Sequence, residues 1–137
     1  MILVDTSVWI DFFDHPESLY AKELKRLIEK DEELCLMDIN VTEILQGIRE
    51  ERIFDEVKDY LTQFPVLRAK SLETYIHAAD IYRSCRKRGK AMTKTIDALI
   101  ASVAIENNAY VFYHDKNFDL IADCSRLKIY KAGNNHV

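Results

Sequence analysis

"TIDALIASVAIENNAYVFYHD", residues 95–115, decides the fold of this chain. A helical apolar pattern over about 95–107 runs through a tight Asn107–Asn108 connection into the apolar strand "YVFY" at 110–113. So short a link forces helix and strand to run antiparallel. A helix climbing ~18 Å at 1.5 Å per residue returns its first turn, with Asp97, to the edge where the strand ends. Asp115 lies just past that strand end, so two acids separated in sequence share one edge.

The same pattern extends outward from this unit. Residues 2–4, "ILV", read as a buried strand ending at Asp5, and "TSVWIDFF" opens a short helix capped by Thr6 or Ser7. From Pro16, "PESLYAKELKRLIEK" reads as an amphipathic helix with Leu24, Leu27 and Ile28 on one face. "ELCLM" at 33–37 is a second buried strand; Asn40 then caps a helix to about Gly47 that carries Glu43. A helix over about 50–63 ends before Pro65, and "VL" at 66–67 is a brief strand. Leu72, Tyr75, Ile76, Ala79 and Tyr82 mark a long helix that stops at Gly89. A short helix over about 116–122 and the strand "KIY" at 128–130 complete the chain. Alternating strands and helices predict one domain over 1–137, a three-layer α/β/α sandwich with a mostly parallel central sheet.

Composition sets outer bounds. Hydrophobic residues make up 48% and charged residues 31%, the balance of a folded globular protein rather than a disordered one. The apolar runs fall far short of the ~20 residues of a membrane helix, and no signal-peptide pattern opens the chain, so a cytoplasmic protein without membrane contact is expected. Cys35, Cys85 and Cys124 lack C-x-x-C spacing and are expected to be reduced, mostly buried thiols. The net charge of −4 comes from 19 Lys plus Arg against 23 Asp plus Glu. The four acids Asp5, Glu43, Asp97 and Asp115 account for the whole surplus.

In a parallel sheet the carboxyl ends of the strands and the starts of the following helices share the edge where ligands bind. Each of the four acids is predicted to lie there. Singly they have ordinary readings: Glu43 fits a capping box with Asn40, Asp97 favours the positive end of its helix, and Asp115 can cap the next one. Together they would repel strongly, and such a cluster stays ionised only when cations or hydrogen bonds compensate it. Hard carboxylate oxygens select magnesium, with manganese as the alternative, and magnesium is commonly shared between a few carboxylates and substrate phosphates. The pattern therefore points to phosphate-ester hydrolysis by metal-activated water, with no protein nucleophile.

"DTSVWI" at 5–10, "TEILQG" at 42–47, "RKRGKAMTKTIDALIASVAI" at 86–105 and "YHDKNFDLIA" at 113–122 occur in the order found in one known family. Over its whole length the chain resembles the PIN-domain ribonucleases, and within them the VapC-type toxins of toxin–antitoxin pairs. The resemblance implies a magnesium-dependent endoribonuclease cutting single-stranded regions of RNA. It implies that Asp5, Glu43, Asp97 and Asp115 hold metal while Ser7 or Thr6 orients a water. Trp9, Phe12 and Phe13 read by default as core packing; the resemblance further implies a small antitoxin as partner, a homodimer, and early helices of this kind that also help form the dimer and the antitoxin groove. Many relatives carry an additional acid where this chain has Asn117, which implies a second ion held more loosely or only with substrate; Asp119 is the alternative donor.

The basic stretch Arg83, Arg86, Lys87, Arg88, Lys90 and Lys94 leads into the Asp97 helix. Arg83 and Arg86 equally suit a helix carboxyl end, whereas Lys87, Arg88, Lys90 and Lys94 are the expected RNA-backbone contacts. His114 is predicted to point away from Asp115, and His15, His77 and His136 lack metal-ligand spacing. A haloacid-dehalogenase-like phosphatase would need a second Asp where Ser7 stands, and a receiver-like module would need paired early acids and a late Lys. A housekeeping PIN-type RNA-processing nuclease and a non-toxin metal-dependent phosphohydrolase remain the alternative functions.

Overall fold

The computed structural model describes residues 1–89 and 94–131. In chain order the elements are β1 (Ile2–Val4), α1 (Thr6–Asp14), α2 (Leu19–Glu29), β2 (Leu34–Met37), α3 (Asp38–Leu45), α4 (Glu51–Leu61), β3 (Val66–Leu67), α5 (Leu72–Lys87), α6 (Thr95–Glu106), β4 (Tyr110–Phe112), α7 (Asn117–Asp123) and β5 (Lys128–Tyr130). The strands form one five-stranded sheet in the order β3-β2-β1-β4-β5. Every pairing is parallel.

Strand alternation divides the interior into two cores. Leu3, Cys35, Met37 and Val111 face α5, α6 and α7, where they meet Ala78, Ile81, Ile100, Ala101, Ala104, Phe118 and Ile121. Val4, Leu34, Leu36 and Phe112 face the other way, onto Val8, Trp9, Leu24, Leu27, Ile44, Val57 and Leu61 of α1–α4. Neighbouring strand residues thus serve opposite layers, the period-2 geometry of a strand buried on both faces. The predicted three-layer sandwich is what forms. No helix among the described residues is long and apolar enough to cross a membrane.

Several local readings change. Asp5, rather than Thr6 or Ser7, caps α1, accepting a hydrogen bond from the Ser7 amide at 3.2 Å. Ser18 caps α2, so Pro16 lies in the preceding turn rather than in the helix. Asn40 is the third residue of α3 and wholly buried, not its cap. On α5 the stripe Leu72, Tyr75, Ile76 and Ala79 faces outward, while Thr74, Ala78, Ile81 and Cys85 face the core. Small and polar residues lie inward there because α5 packs closely on the alanine-rich α6. The Asn107–Asn108 link closes as expected: Asn108 takes a left-handed φ of 53° and the Ala109 amide returns to the Ala104 carbonyl at 2.8 Å.

The cysteine expectation fails for two of the three. Cys85 and Cys124 form a disulfide with their Cα atoms 5.4 Å apart, because α5 and α7 lie side by side on one face of the sheet. Sequence spacing carried no trace of that contact. Cys35 alone remains a free, buried thiol, and burial pushes its pKa up to about 12.

The central strands should dominate stability. Leu36→Ala, at a fully buried site on β2, is expected to cost about 2–5 kcal/mol. Leu19→Ala, at a position 59% exposed, should stay within about 0.5 kcal/mol; urea unfolding of both variants measures the contrast.

Candidate active site

Parallel register brings the ends of β1 and β4 level. Val4 pairs with Phe112, and the Asp5 amide donates to the Phe112 carbonyl at 2.9 Å. Asp5 therefore leaves its strand beside the segment that carries His114 and Asp115. Asp5 Oδ2 accepts from Ser7 Oγ at 2.8 Å, and that same hydroxyl accepts from the His114 amide at 2.9 Å. One serine thus joins the two strand ends.

Glu43 reaches the group from α3. Its Oε1 accepts from Thr6 Oγ1 at 2.7 Å and from Asn40 Nδ2 at 3.5 Å, while Asn40 Nδ2 also donates to Thr6 Oγ1 at 3.0 Å. Asn40 Oδ1 in turn accepts from the Met37 amide at 2.8 Å, so the amide group spans from the end of β2 to the start of α1. The capping box expected between Asn40 and Glu43 is absent. Asn40 instead holds Glu43 toward Thr6, a role signalled in sequence only by its i,i+3 placement on one helix face.

Asp97, 7% exposed, lies in the first turn of α6. Its Oδ2 accepts from Asn117 Nδ2 at 3.1 Å, and the same nitrogen lies 3.5 Å from Asp115 Oδ2. Asp115 Oδ1 also accepts the Asn117 amide at 3.0 Å. The side chain of Asn117 therefore stands between two acids, neutral and donating to both.

Electrostatics link all four carboxylates. Burial raises the pKa of Asp5, its bonds to Ser7 oppose this, and the charge of Glu43 raises it further. Burial also pushes Asp97 up to about 6, with the Asn117 bond and Lys94 opposing and the charges of Asp5 and Asp115 adding. Glu43, Asp5, Asp97 and Asp115 thus form a row in which neighbours feel one another. Among the described residues no three Asp, Glu, His or Cys side chains form a ready cage for one ion. The donor set nonetheless fits a hard divalent cation: oxygen ligands, partly desolvated, whose mutual repulsion a cation would relieve.

Other candidates are placed apart. The His114 ring pairs with the buried Asp11 at 2.8 Å and stacks on Tyr20 with ring centres 4.0 Å apart, away from the acids. Asp11 was not anticipated, since nothing in sequence links residues 11 and 114. Asp119 is exposed and accepts from the Tyr113 hydroxyl. Lys87, Arg88 and Lys94 are exposed; Arg88 Nη1 donates to the Asp123 carbonyl at 2.6 Å, and Arg83 pairs with Asp80 at 3.4 Å. Lys90 and His136 lie outside the described residues.

Comparison with known proteins gives a consistent result. The PIN domain family matches residues 2–123. VapC ribonuclease Mb1587 of Mycobacterium bovis and Ribonuclease VapC11 of Mycobacterium tuberculosis are each 31% identical over 129 residues, 93% of this chain and 96% of the relative. Among solved structures, FitAB bound to a DNA fragment superposes with a TM-score of 0.76 at 19% identity, covering 100% of both chains. VapBC2 from Rickettsia felis, bound to a DNA fragment from its promoter, gives 0.74 at 17% identity, covering 95% of this chain and 98% of the other.

The raised pKa of Asp97 has a signed consequence. A folded-state value of about 6 against 3.8 unfolded means that the folded form binds the proton more tightly, so this group's contribution is complete below pH ~4 and lost as pH rises through ~6. Without divalent cation, Asp97→Asn should therefore be more stable than wild type at pH 7.5 by about 1–2 kcal/mol, after allowing for solvent screening. The difference should vanish near pH 4. Thermal melts across pH in chelator measure it.

Proposed function

Because the chain belongs to the PIN-domain family, we propose that it is a divalent-metal-dependent endoribonuclease, the toxin of a toxin–antitoxin pair, cutting single-stranded regions of RNA. The observation that carries this reading is the row of four carboxylates on one sheet edge. The sequence likeness to VapC ribonucleases over 93% of the chain supports the substrate class. In this reading Asp5, Glu43, Asp97 and Asp115 hold magnesium, with manganese as a substitute. The bound ion supplies a Lewis acid for the phosphate charge and an acidified water.

The protein's own groups set the geometry. Ser7 fixes the Asp5 carboxylate and the backbone at His114, leaving its hydroxyl beside the reaction edge. Thr6 and Asn40 aim Glu43, and Asn117 spaces Asp97 from Asp115. Lys87, Lys90 and Lys94 contact the RNA backbone together with Arg88, whose bond to the Asp123 carbonyl presets its direction. Each phosphate contact of this kind makes binding weaken with salt.

A small antitoxin and a second copy of this chain are the proposed protein partners. The VapBC and FitAB character of the structural neighbours supports the antitoxin. The outward face of α5 supports the second copy: Leu72 is 73%, Tyr75 53% and Ile76 47% exposed. Beside them lies a cavity of about 300 Å³ lined by Tyr75, Ala79, Tyr82, Arg83, Thr95 and Leu99. An acid in the first turn of α5 (Glu73) and bases in its last turn (Arg86, Lys87) make an antiparallel pairing of two such helices charge-complementary.

Purified protein incubated with single-stranded RNA should cut it in magnesium and cease in chelator. Asp97→Asn should lower kcat by about 100-fold or more without loss of fold; cutting that persists in chelator would remove the metal from the reading. For the dimer, Ile76→Asp should shift the protein to monomer in analytical ultracentrifugation while leaving its circular dichroism unchanged.

A further inference from the structure

The Cys85–Cys124 disulfide lies at an informative place. Cys85 sits in the last turns of α5 and Cys124 directly after α7. The bond closes a loop between residues 39 apart in sequence, and that loop contains Asp97, Asp115, Asn117, Lys87 and Arg88. Asp5, Thr6, Ser7 and Glu43 all lie outside it. The covalent ring therefore encloses one half of the acid row, and the other half is held to it by packing and hydrogen bonds. Arg88, donating to the Asp123 carbonyl, spans the same seam one residue from Cys124.

Neither cysteine touches the acids, so the bond serves no step of the reaction. Both cysteines are buried, Cys85 at 0% and Cys124 at 8% exposed, between elements packed on the sheet. What the bond adds is restraint on how far α7 and the end of α5 can separate. Because Asn117 opens α7 and holds both Asp97 and Asp115, that restraint reaches the site through one short helix.

We propose that Cys85 and Cys124 form a reversible thiol–disulfide staple that sets the rigidity of the Asp97–Asp115 half of the site. The oxidant is a low-molecular-weight disulfide. The thiolate of Cys124, the less buried of the two, attacks one sulfur of that disulfide, forming a mixed disulfide and releasing one small thiol. The Cys85 thiolate then displaces the second small thiol and closes the ring. Two protein thiols give up two protons and two electrons in all, and one small disulfide becomes two thiols. Excess small thiol runs the sequence backward. The chemistry stands on the position of the two sulfurs alone; its effect on cleavage rests on the ribonuclease reading.

The full chain, equilibrated with oxidised glutathione or with dithiothreitol and alkylated in denaturant, separates the outcomes by mass. Oxidised protein should take up one alkyl group, at Cys35, and reduced protein three. Reduction should lower Tm by about 10 °C, and amide exchange across α7 should accelerate by about tenfold or more. Cys85→Ala/Cys124→Ala should melt like the reduced protein and ignore dithiothreitol, which keeps Cys35 out of the interpretation. RNA cleavage by the reduced form should fall by about threefold or more relative to the oxidised form, a ratio abolished in the double variant. Three alkylated thiols after treatment with oxidised glutathione would overturn the proposal, as would an oxidised form with unchanged Tm and α7 exchange. Equal cleavage by both forms would overturn its control of the site. Should neither form cut RNA while mass, Tm and exchange behave as stated, the staple holds and the ribonuclease reading fails.

Discussion

Carboxylates crowded on one edge repel, and the local structure of this protein is organised around containing that repulsion. Water is partly withdrawn from Asp5 and Asp97, so the charged forms are disfavoured twice, by desolvation and by one another. The compensation comes from neutral donors: Ser7 on Asp5, Thr6 and Asn40 on Glu43, Asn117 on Asp97 and Asp115. None of these donors cancels charge; each fixes an oxygen. Such an arrangement keeps the edge folded while leaving its negative charge uncancelled.

The sheet makes this possible by dividing labour between its faces. Strand residues alternate between the α5–α7 layer and the α1–α4 layer, so the polar edge never has to serve as core. Asp5 caps α1 as well as facing the acids, and the cap explains why a buried acid follows directly on a buried strand. His114 shows the same economy of position. Its amide meets Ser7 while its ring is held by Asp11 and Tyr20, so the segment bearing Asp115 is fixed from the side opposite the acids.

Periodicity made the layers and the edge legible in sequence. The strands at 2–4, 34–37 and 110–112 are apolar on both faces, the Asn107–Asn108 turn fixes direction, and strand ends then locate Asp5, Asp97 and Asp115. What stayed hidden depends on contacts between distant segments. The amide of Asn40 looked like a cap because caps and buried positioning amides use the same residue type at the same place. The outward direction of the stripe Leu72–Tyr75–Ile76 was not legible, because hydrophobicity alone does not say which side of a helix meets its own sheet. Cys85 and Cys124 carry no local signature, and only the packing of α5 against α7 brings their sulfurs together.

The central position of β1 between β2 and β4 has a consequence for biosynthesis. β1 cannot complete its pairing until β4, more than a hundred residues later in the chain, has left the ribosome, and the acids at 97 and 115 likewise follow Asp5 and Glu43 at a distance. A chain halted partway through translation therefore holds Asp5 and Glu43 with nothing opposite them. The four-acid edge thus assembles only once the segment through Asp115 has been made.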